Sequence, residues 1–238
     1  MRRVSNLYFA VVGSFAIALS ACGGNPNAAT ASGTFNLQAG YANLVNMGLT
    51  TNVALSGTVV VNGNSTPFNG TGTLTFARAV SATFNNSAAL AQTETISGTV
   101  TAAGQSAPFS SMQTDYYASN GGAVLGQSTT NEYDVVQSPF TYPTSVVGGS
   151  AGNLGTVSRY TDSSMGVSLG TTQISYAVSA PVDPAGPVSV QFTDKIYDTQ
   201  NALIETDMTT CSLPSSSVLS FVSATAQTSS GTLSVTAQ

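Results

Sequence analysis

SGTVVVNGNSTPF (56–68) returns as SGTVTAAGQSAPF (97–109), with Leu55 before one copy and Ile96 before the other. Each copy reads as a strand, a turn at Gly63 or Gly104, and a second strand starting after Pro67 or Pro108. Side chains alternate along a strand, so Val53, Leu55, Gly57, Val59 and Val61 share one face of the first. On its return partner Leu74 and Phe76 share a face, with Thr73 and Thr75 opposite. The pattern makes two related β-hairpins. A repeat seen twice falls short of the three units a solenoid needs.

The same alternation continues outward from the repeat. LGTVSRYTDSSMGVSLGTTQISYAV predicts two strands around Asp162-Ser163-Ser164, with Ile174, Tyr176 and Val178 on one face. VSVQFTDKIYDTQNALIETDMTT predicts a hairpin turning between Asp198 and Ala202, and SVLSFVSATAQTSSGTLSVTAQ a last one at Ser229-Ser230-Gly231. Extra strands are expected near 34–50 and 130–137. NLVNMGLT (43–50) is the one stretch open to a short helix, although Gly48 and its asparagines oppose length. The sum is an all-β chain: an antiparallel meander of about ten or more strands, forming a sandwich or a curled, partly closed barrel. SPFTYPTSVVGGSAG (138–152) is the candidate internal boundary, where Pro139, Pro143 and the glycines would interrupt strands. The expected organisation is a leader at 1–21, a flexible tether at 22–33 and one β-domain at 34–238, with two halves meeting near 138–152.

The beginning of the chain, MRRVSNLYFAVVGSFAIALSACGG, has a basic start at Arg2 and Arg3 and an apolar run from Leu7 to Leu19. That run is shorter than the roughly 20 residues of a membrane-spanning helix and has the form of an export signal. Leu19-Ser20-Ala21-Cys22 resembles the lipobox of bacterial lipoproteins. The resemblance implies cleavage before Cys22, diacylglycerol on its sulfur and usually a third acyl chain, such as palmitate, on the new amino group. Gly23 follows in place of the Asp that retains many enterobacterial lipoproteins at the inner membrane, which points to the outer membrane and a domain facing the periplasm or exposed at the surface. Two or three acyl chains suffice for stable anchoring where one does not. An ordinary secretory signal, with Cys22 left to form a disulfide, is the alternative. The SGTV-type hairpins ahead of a K-x-Y-D strand, here Lys195-Ile196-Tyr197-Asp198, also resemble hypothetical lipoproteins of proteobacteria, a likeness that carries no activity with it.

Removal of 1–21 would leave Arg78, Arg159 and Lys195 against all ten carboxylates, a formal charge of −7. A surface so poor in Lys and Arg does not bind nucleic acid. Cys211 would then lack a partner in the chain, and is expected as a half-buried thiol beneath the Leu213-Pro214 turn.

The sequence offers little catalytic chemistry. It has no His, which removes the commonest general base and the leading zinc ligand. Gly148-Gly149-Ser150-Ala151-Gly152 fits G-x-S-x-G, but a nucleophile elbow needs a histidine and a following helix. No phosphate-binding G-x-x-x-x-G-K occurs. The densest acidic stretch is Asp194, Asp198, Glu205 and Asp207. Alternation puts Asp194 on the face of Val188, Val190, Phe192 and Ile196, so either a bulge re-aims it or it is an internal polar group. Lys195 points the other way and could pair across the hairpin with Glu205 or Asp207, a structural ion pair or a solvated hairpin end being the expected reading of this stretch. The D-x-D-x-D spacing of a calcium loop is missing, and a glycosidase pair of acids is the remaining catalytic option. Trp is absent and Tyr116, Tyr117, Tyr133, Tyr142 and Tyr160 are scattered, as core or rim residues usually are.

No catalytic, cofactor or metal residues are therefore assigned, and Cys22 is assigned as the lipid attachment site. The expected function is a non-enzymatic envelope lipoprotein whose β-module binds an envelope protein or plays a structural part. A carrier for lipid or another hydrophobic ligand, with Val59, Leu74, Phe76, Ile174 and Tyr176 lining a cavity, is the second reading; a carboxylate hydrolase is the third.

Overall fold

The computed structural model describes residues 33–238 apart from 62–63, 120–121, 181–182, 184–185 and 217. Cys22 and the rest of the leader and tether up to residue 32 lie outside the described residues. One helix, α1 (Leu37–Met47), precedes thirteen strands: β1 (Leu49–Val61), β2 (Asn64–Phe76), β3 (Val80–Phe84), β4 (Ser87–Ala102), β5 (Gln105–Ala118), β6 (Ala123–Ser128), β7 (Tyr133–Thr141), β8 (Ala151–Tyr160), β9 (Ser168–Ser179), β10 (Val188–Tyr197), β11 (Leu203–Leu213), β12 (Ser220–Thr228) and β13 (Gly231–Ala237). All belong to one antiparallel sheet. β1 pairs with β2, β2 with β4, each strand from β4 onward with the next, and β13 returns to β1. The ring of twelve strands is closed; β3 stands outside it. Of the two all-β architectures expected, the chain adopts the barrel.

Closure explains the repeat. Gly57 faces Phe68 across the first hairpin, and Gly98 faces Phe109 across the second. Gly98 also lies opposite Gly72 where β2 meets β4. A Cβ on Gly98 would sit 2.2 Å from the Thr71 carbonyl oxygen and 2.6 Å from the Gly72 Cα. The strands approach there as only glycine permits, and such glycine kinks let a sheet coil tightly enough to close, with a neighbouring ring covering the gap. The Phe68 ring lies over Gly57 in this way.

Alternation then assigns the faces. Val53, Leu55 and Val59 of β1, Leu74 and Phe76 of β2, and Val188, Val190, Phe192 and Ile196 of β10 are all buried inside the ring. Hydroxyls occupy the outside, where Thr58 bonds Thr232 at 3.1 Å and Thr101 bonds Ser106 at 2.7 Å across strands. Tyr176 and Ile174 pack at the margin of the same core.

Eight strands enclose a lumen that side chains just fill, so twelve need additional filling. α1 supplies it. The expectation of a strand near 34–50 is wrong, and the helix is longer than 43–50 suggested. Asn36 caps its start by accepting a hydrogen bond from the Ala39 amide at 2.8 Å, and Gly48 ends it at φ 73°. Gly48 therefore terminates the helix and does not prevent it. Leu37, Leu44 and Val45 are buried, and Gly40 comes against Leu213 and Leu219. Gln92, buried on β4, donates to the carbonyls of Leu44 (3.0 Å) and Ala77 (2.8 Å), tying the last turn of α1 to the break between β2 and β3. The Ala79 amide bonds the Val45 carbonyl at 2.9 Å in the same break.

β3 continues along the edge of β4 that β2 leaves, from Val80 opposite Ala91 to Phe84 opposite Ser87. Its Asn85-Asn86 turn has both φ values positive, at 46° and 62°, as tight hairpins require. Phe84 stacks on Tyr116 and Tyr133, whose hydroxyl donates to Asn85 at 2.7 Å.

Three prolines expected to precede or break strands lie within them. Pro67 and Pro108 are inside β2 and β5, beyond the ends of the ladders to β4 and β6 respectively. A residue without an N–H is tolerated at such an edge and blunts it against further pairing. Pro139 falls where β7 bulges away from β6, between Val135 and Phe140. The loop 142–150 then leads into β8 of the same sheet.

Replacing Gly98 by Ala should lower unfolding free energy by about 2–3 kcal/mol. Gly166→Ala, whose Cβ would meet nothing nearer than 3.4 Å, should change it by less than ~0.5 kcal/mol. Denaturant titration of both variants checks the contrast.

Candidate functional site

The register of β10 decides the question raised by Asp194. Its ladder to β11 is unbroken from Val188 to Ile196, the bulge falling only at Ile196/Tyr197. Asp194 therefore points inward with Phe192 and Ile196, and is 1% exposed. Asp207 lies directly opposite it, and Glu205 opposite Ile196, both on the interior face. The expected pairing of Lys195 with Glu205 or Asp207 is wrong: Lys195 is exposed on the other face, opposite Thr206. Asp198 belongs to the turn, where its Oδ1 accepts from the amides of Gln200 (2.8 Å) and Ala202 (2.9 Å). Cys211 is fully buried in the core, more deeply than expected, and burial pushes its thiol pKa up, with the charge of Glu94 adding to the effect. Ser150 sits in a loop, its Oγ accepting from the Val147 amide at 2.9 Å.

Three tyrosines far apart in sequence meet beneath the helix. Tyr41 of α1 lies against Tyr142, with ring centroids 4.1 Å apart, and its hydroxyl is 3.2 Å from that of Tyr117 on β5. Tyr142 in turn meets Phe140 and Phe192 edge to face. Below these rings is a cavity of about 50 Å³. Its polar lining is Asp115, Asp134, Asp194, Gln127 and Thr172; its apolar lining includes Val136, Val157 and Ile174. On this side the β7–β8 ladder stops at Val136 and Val157. Above it the Phe140 ring fills the wall against Gly155, where a Cβ would come within 2.7 Å.

Asp194 was legible as an internal acid; Asp115 and Asp134 were not singled out. The signal was present in Gln113-Thr114-Asp115-Tyr116-Tyr117, whose odd positions face inward, but short alternation does not say which face is buried. The meeting of Tyr41, Tyr117 and Tyr142 depends on α1 and had no local signal.

The electrostatics of the lumen are dominated by desolvation. Burial raises the pKa of Asp115 to about 7, against a hydrogen bond from Gln113 that lowers it. Burial and the charge of Glu132 raise Asp134 to about 8, opposed by Arg159 and by a 2.8 Å bond from Gln127 Nε2 to Oδ2. Burial alone holds Asp194 well above the usual carboxylate range, and burial plus the Asp115 charge does the same for Glu94. Oδ1 of Asp194 is buried without a hydrogen-bond partner, while Asp134 is hydrogen-bonded to Glu132 as well as to Gln127. Glu205 and Asp207 are hydrogen-bonded to each other. The one cation among them is Arg159 on β8, paired through Nε with Glu132 and set opposite Asp134 in the ladder. Among the described residues no three His, Cys, Asp or Glu side chains come together to hold a metal ion. None of the described helices is long and apolar enough to cross a membrane.

The chain matches no family model, no curated protein and no solved structure.

These shifts fix the sign of the pH dependence. Carboxylates whose folded pKa is raised hold protons that the unfolded chain releases, so their stabilisation is complete below the unfolded value near 4 and is lost as pH rises through 7 and 8. The melting temperature should fall by roughly 5–10 °C from pH 5 to pH 8.5, a trend that scanning calorimetry reads directly. Arg159→Met should destabilise by about 3–5 kcal/mol at pH 7, because Glu132 and Asp134 then lose their cation. Denaturant unfolding at that pH measures it.

Proposed function

We propose that the chain is a lipid-anchored protein of the bacterial envelope, held at the outer membrane by acyl chains on Cys22 and facing the periplasm. Its barrel is a non-enzymatic binding module for a small polar ligand. The lipobox resemblance supports the anchor, and the hydroxyl-rich outer face suits a domain standing in water at the end of a polar tether. The observation that carries the binding reading is the cavity. It gathers three carboxyl groups, among them that of the buried Asp194, with an oxygen that no side chain satisfies, and such groups are costly to leave unmade.

The carrier reading is compatible with the barrel but is not what this cavity favours; a larger space of about 350 Å³ lies beside Asn153, Leu154, Ile174 and Lys195, with a mostly polar lining. Ligand pockets of ordinary size run to about 300 Å³ or more, and a 50 Å³ space edged by three aspartates accommodates no lipid. Val59, Leu74 and Phe76 fill the core instead of bordering a void. The hydrolase reading meets the same objection, since a glycoside has no room between these acids.

Cys22→Ser should move the protein from the membrane to the soluble fraction, and mass spectrometry of the membrane-extracted wild type should find acyl groups on Cys22. A Cys22→Ser protein that stays on the membrane rejects the anchor.

A further inference from the structure

The cavity is built to receive hydrogen-bond donors that the protein withholds. Asp194 and Asp134 are 1% and 2% exposed and both line it; Asp134 is held by Gln127 and Glu132, whereas Oδ1 of Asp194 has no partner. Asp115 adds a third carboxylate. No basic side chain is in the lining; Arg159, opposite Asp134 in the ladder, pairs through Nε with Glu132 and lies close enough to act on the charge of Asp134, but not within the cavity wall beside Asp194. The rings of Tyr41, Tyr117, Tyr142 and Phe192 belong to the same lining. Carboxylate oxygens together with aromatic rings form the recognition set for an ammonium group, which donates along several directions and is attracted to a π-face. A metal ion would instead need closely converging oxygens, and no such group of three exists among the described residues.

We propose that this cavity is a binding site for a small protonated amine, ammonium or methylammonium in size, accepted by the unpartnered Oδ1 of Asp194 in a lining shared with Asp115, Asp134 and the tyrosines of α1, β5 and the loop after β7. The size limit follows from the volume. A space of 50 Å³ exceeds the 10–15 Å³ that one water needs by this measure but is far below any sugar, peptide or lipid. Water alone fills it imperfectly, because it brings no charge to set against the acids. The inference rests on the binding-module reading and names its ligand class; it does not depend on the anchor.

Protons and the amine compete for the same oxygens. The titratable groups lining the site are Tyr41 from α1, Asp115 and Tyr117 from β5, Asp134 from β7, Tyr142 from the loop and Asp194 from β10; behind them Glu94 of β4 acts with Asp115, Arg159 of β8 and Glu132 with Asp134, and Asp207 of β11 with Asp194. The tyrosines are held protonated by burial; of the lining acids Asp115 and Asp134 titrate at about 7 and about 8, and burial holds Asp194 well above the usual carboxylate range. Binding should therefore strengthen with pH and release protons.

The test is titration of the full chain, purified as expressed, with methylammonium chloride, followed by calorimetry and amide NMR shifts. A guest of two heavy atoms is limited to a Kd of about 5 mM or weaker by the ceiling on affinity per atom. At pH 8.5 saturable binding near that limit is expected, with affinity at least about fivefold lower at pH 6. Asp194→Asn, which keeps the shape and removes the charge, should weaken it at least about tenfold without lowering the melting temperature, and Asp134→Asn should do likewise. Asp162→Asn, in the exposed β8–β9 turn, should bind as the wild type does. Equal binding by Asp194→Asn and Asp134→Asn overturns the site. If neutral formamide binds and methylammonium does not, the cavity stands as a ligand site and the cationic class falls. If neither binds, the binding-module reading falls with it.

Discussion

Closure of the sheet is the constraint from which the rest of this molecule follows. Two ladders achieve it: Phe68–Phe76 of β2 against Glu94–Ala102 of β4, and Val53–Val59 of β1 against Gly231–Ala237 of β13. A closed ring has no continuous free edge and turns one face of every strand inward. It also creates a lumen that must be filled. Glycines opposite one another at 72 and 98 let the strands approach closely enough for the ring to shut. The helix that fills its end is held by Gln92, whose amide reaches both the helix carboxyl end and the break in β2–β3. Wall and plug are thus one hydrogen-bonded unit.

The interior is divided. Around β1, β2 and β10–β13 it is an ordinary aliphatic and aromatic core. Toward β5, β7 and β8, and low on β10 and β11, it contains most of the chain's carboxylates with a single arginine among them. Apolar side chains of similar volume would be more stabilising at such positions. The acids that remain buried with raised pKa in a cavity are in the arrangement that functional sites adopt when stability is traded for a poised charge. Cys211 belongs to the other half: a small apolar group whose thiol burial keeps inert.

Strands were legible because their alternation is local. The phase of Val53-Leu55-Gly57-Val59, the turns at Asp162, Asp198 and Ser229, and the inward Asp194 can all be read from a few consecutive residues. What was not legible depends on distant partners. Sandwich and barrel share the same alternation, and only the β13–β1 and β2–β4 pairings distinguish them. α1 was obscured because LQAGYANLVNM mixes small and polar residues, and its apolar side acquires meaning only against Leu213, Leu219 and the tyrosines. Pro67 and Pro108 read locally as residues ahead of a strand, because their tolerance within one depends on where a neighbouring ladder ends. Lys195 was misassigned through the same kind of omission, since its partner's parity is set by register across the hairpin.

Pairing of β13 with β1 joins segments separated by nearly the whole domain, and the last amide, that of Gln238, reaches back to Asn52. Hairpins such as β1–β2 and β4–β5 can zip as they are made, but the seam waits for the final dozen residues. Until then one flank of the first strand lies open, and the growing chain is an unfinished cylinder prone to the wrong neighbour. Completion is consequently a single late event with long-range contacts, a topology associated with slow acquisition of the native state. A chain built this way cannot shut until β13 has met β1, and loss of β13 leaves the cylinder gaping along its length.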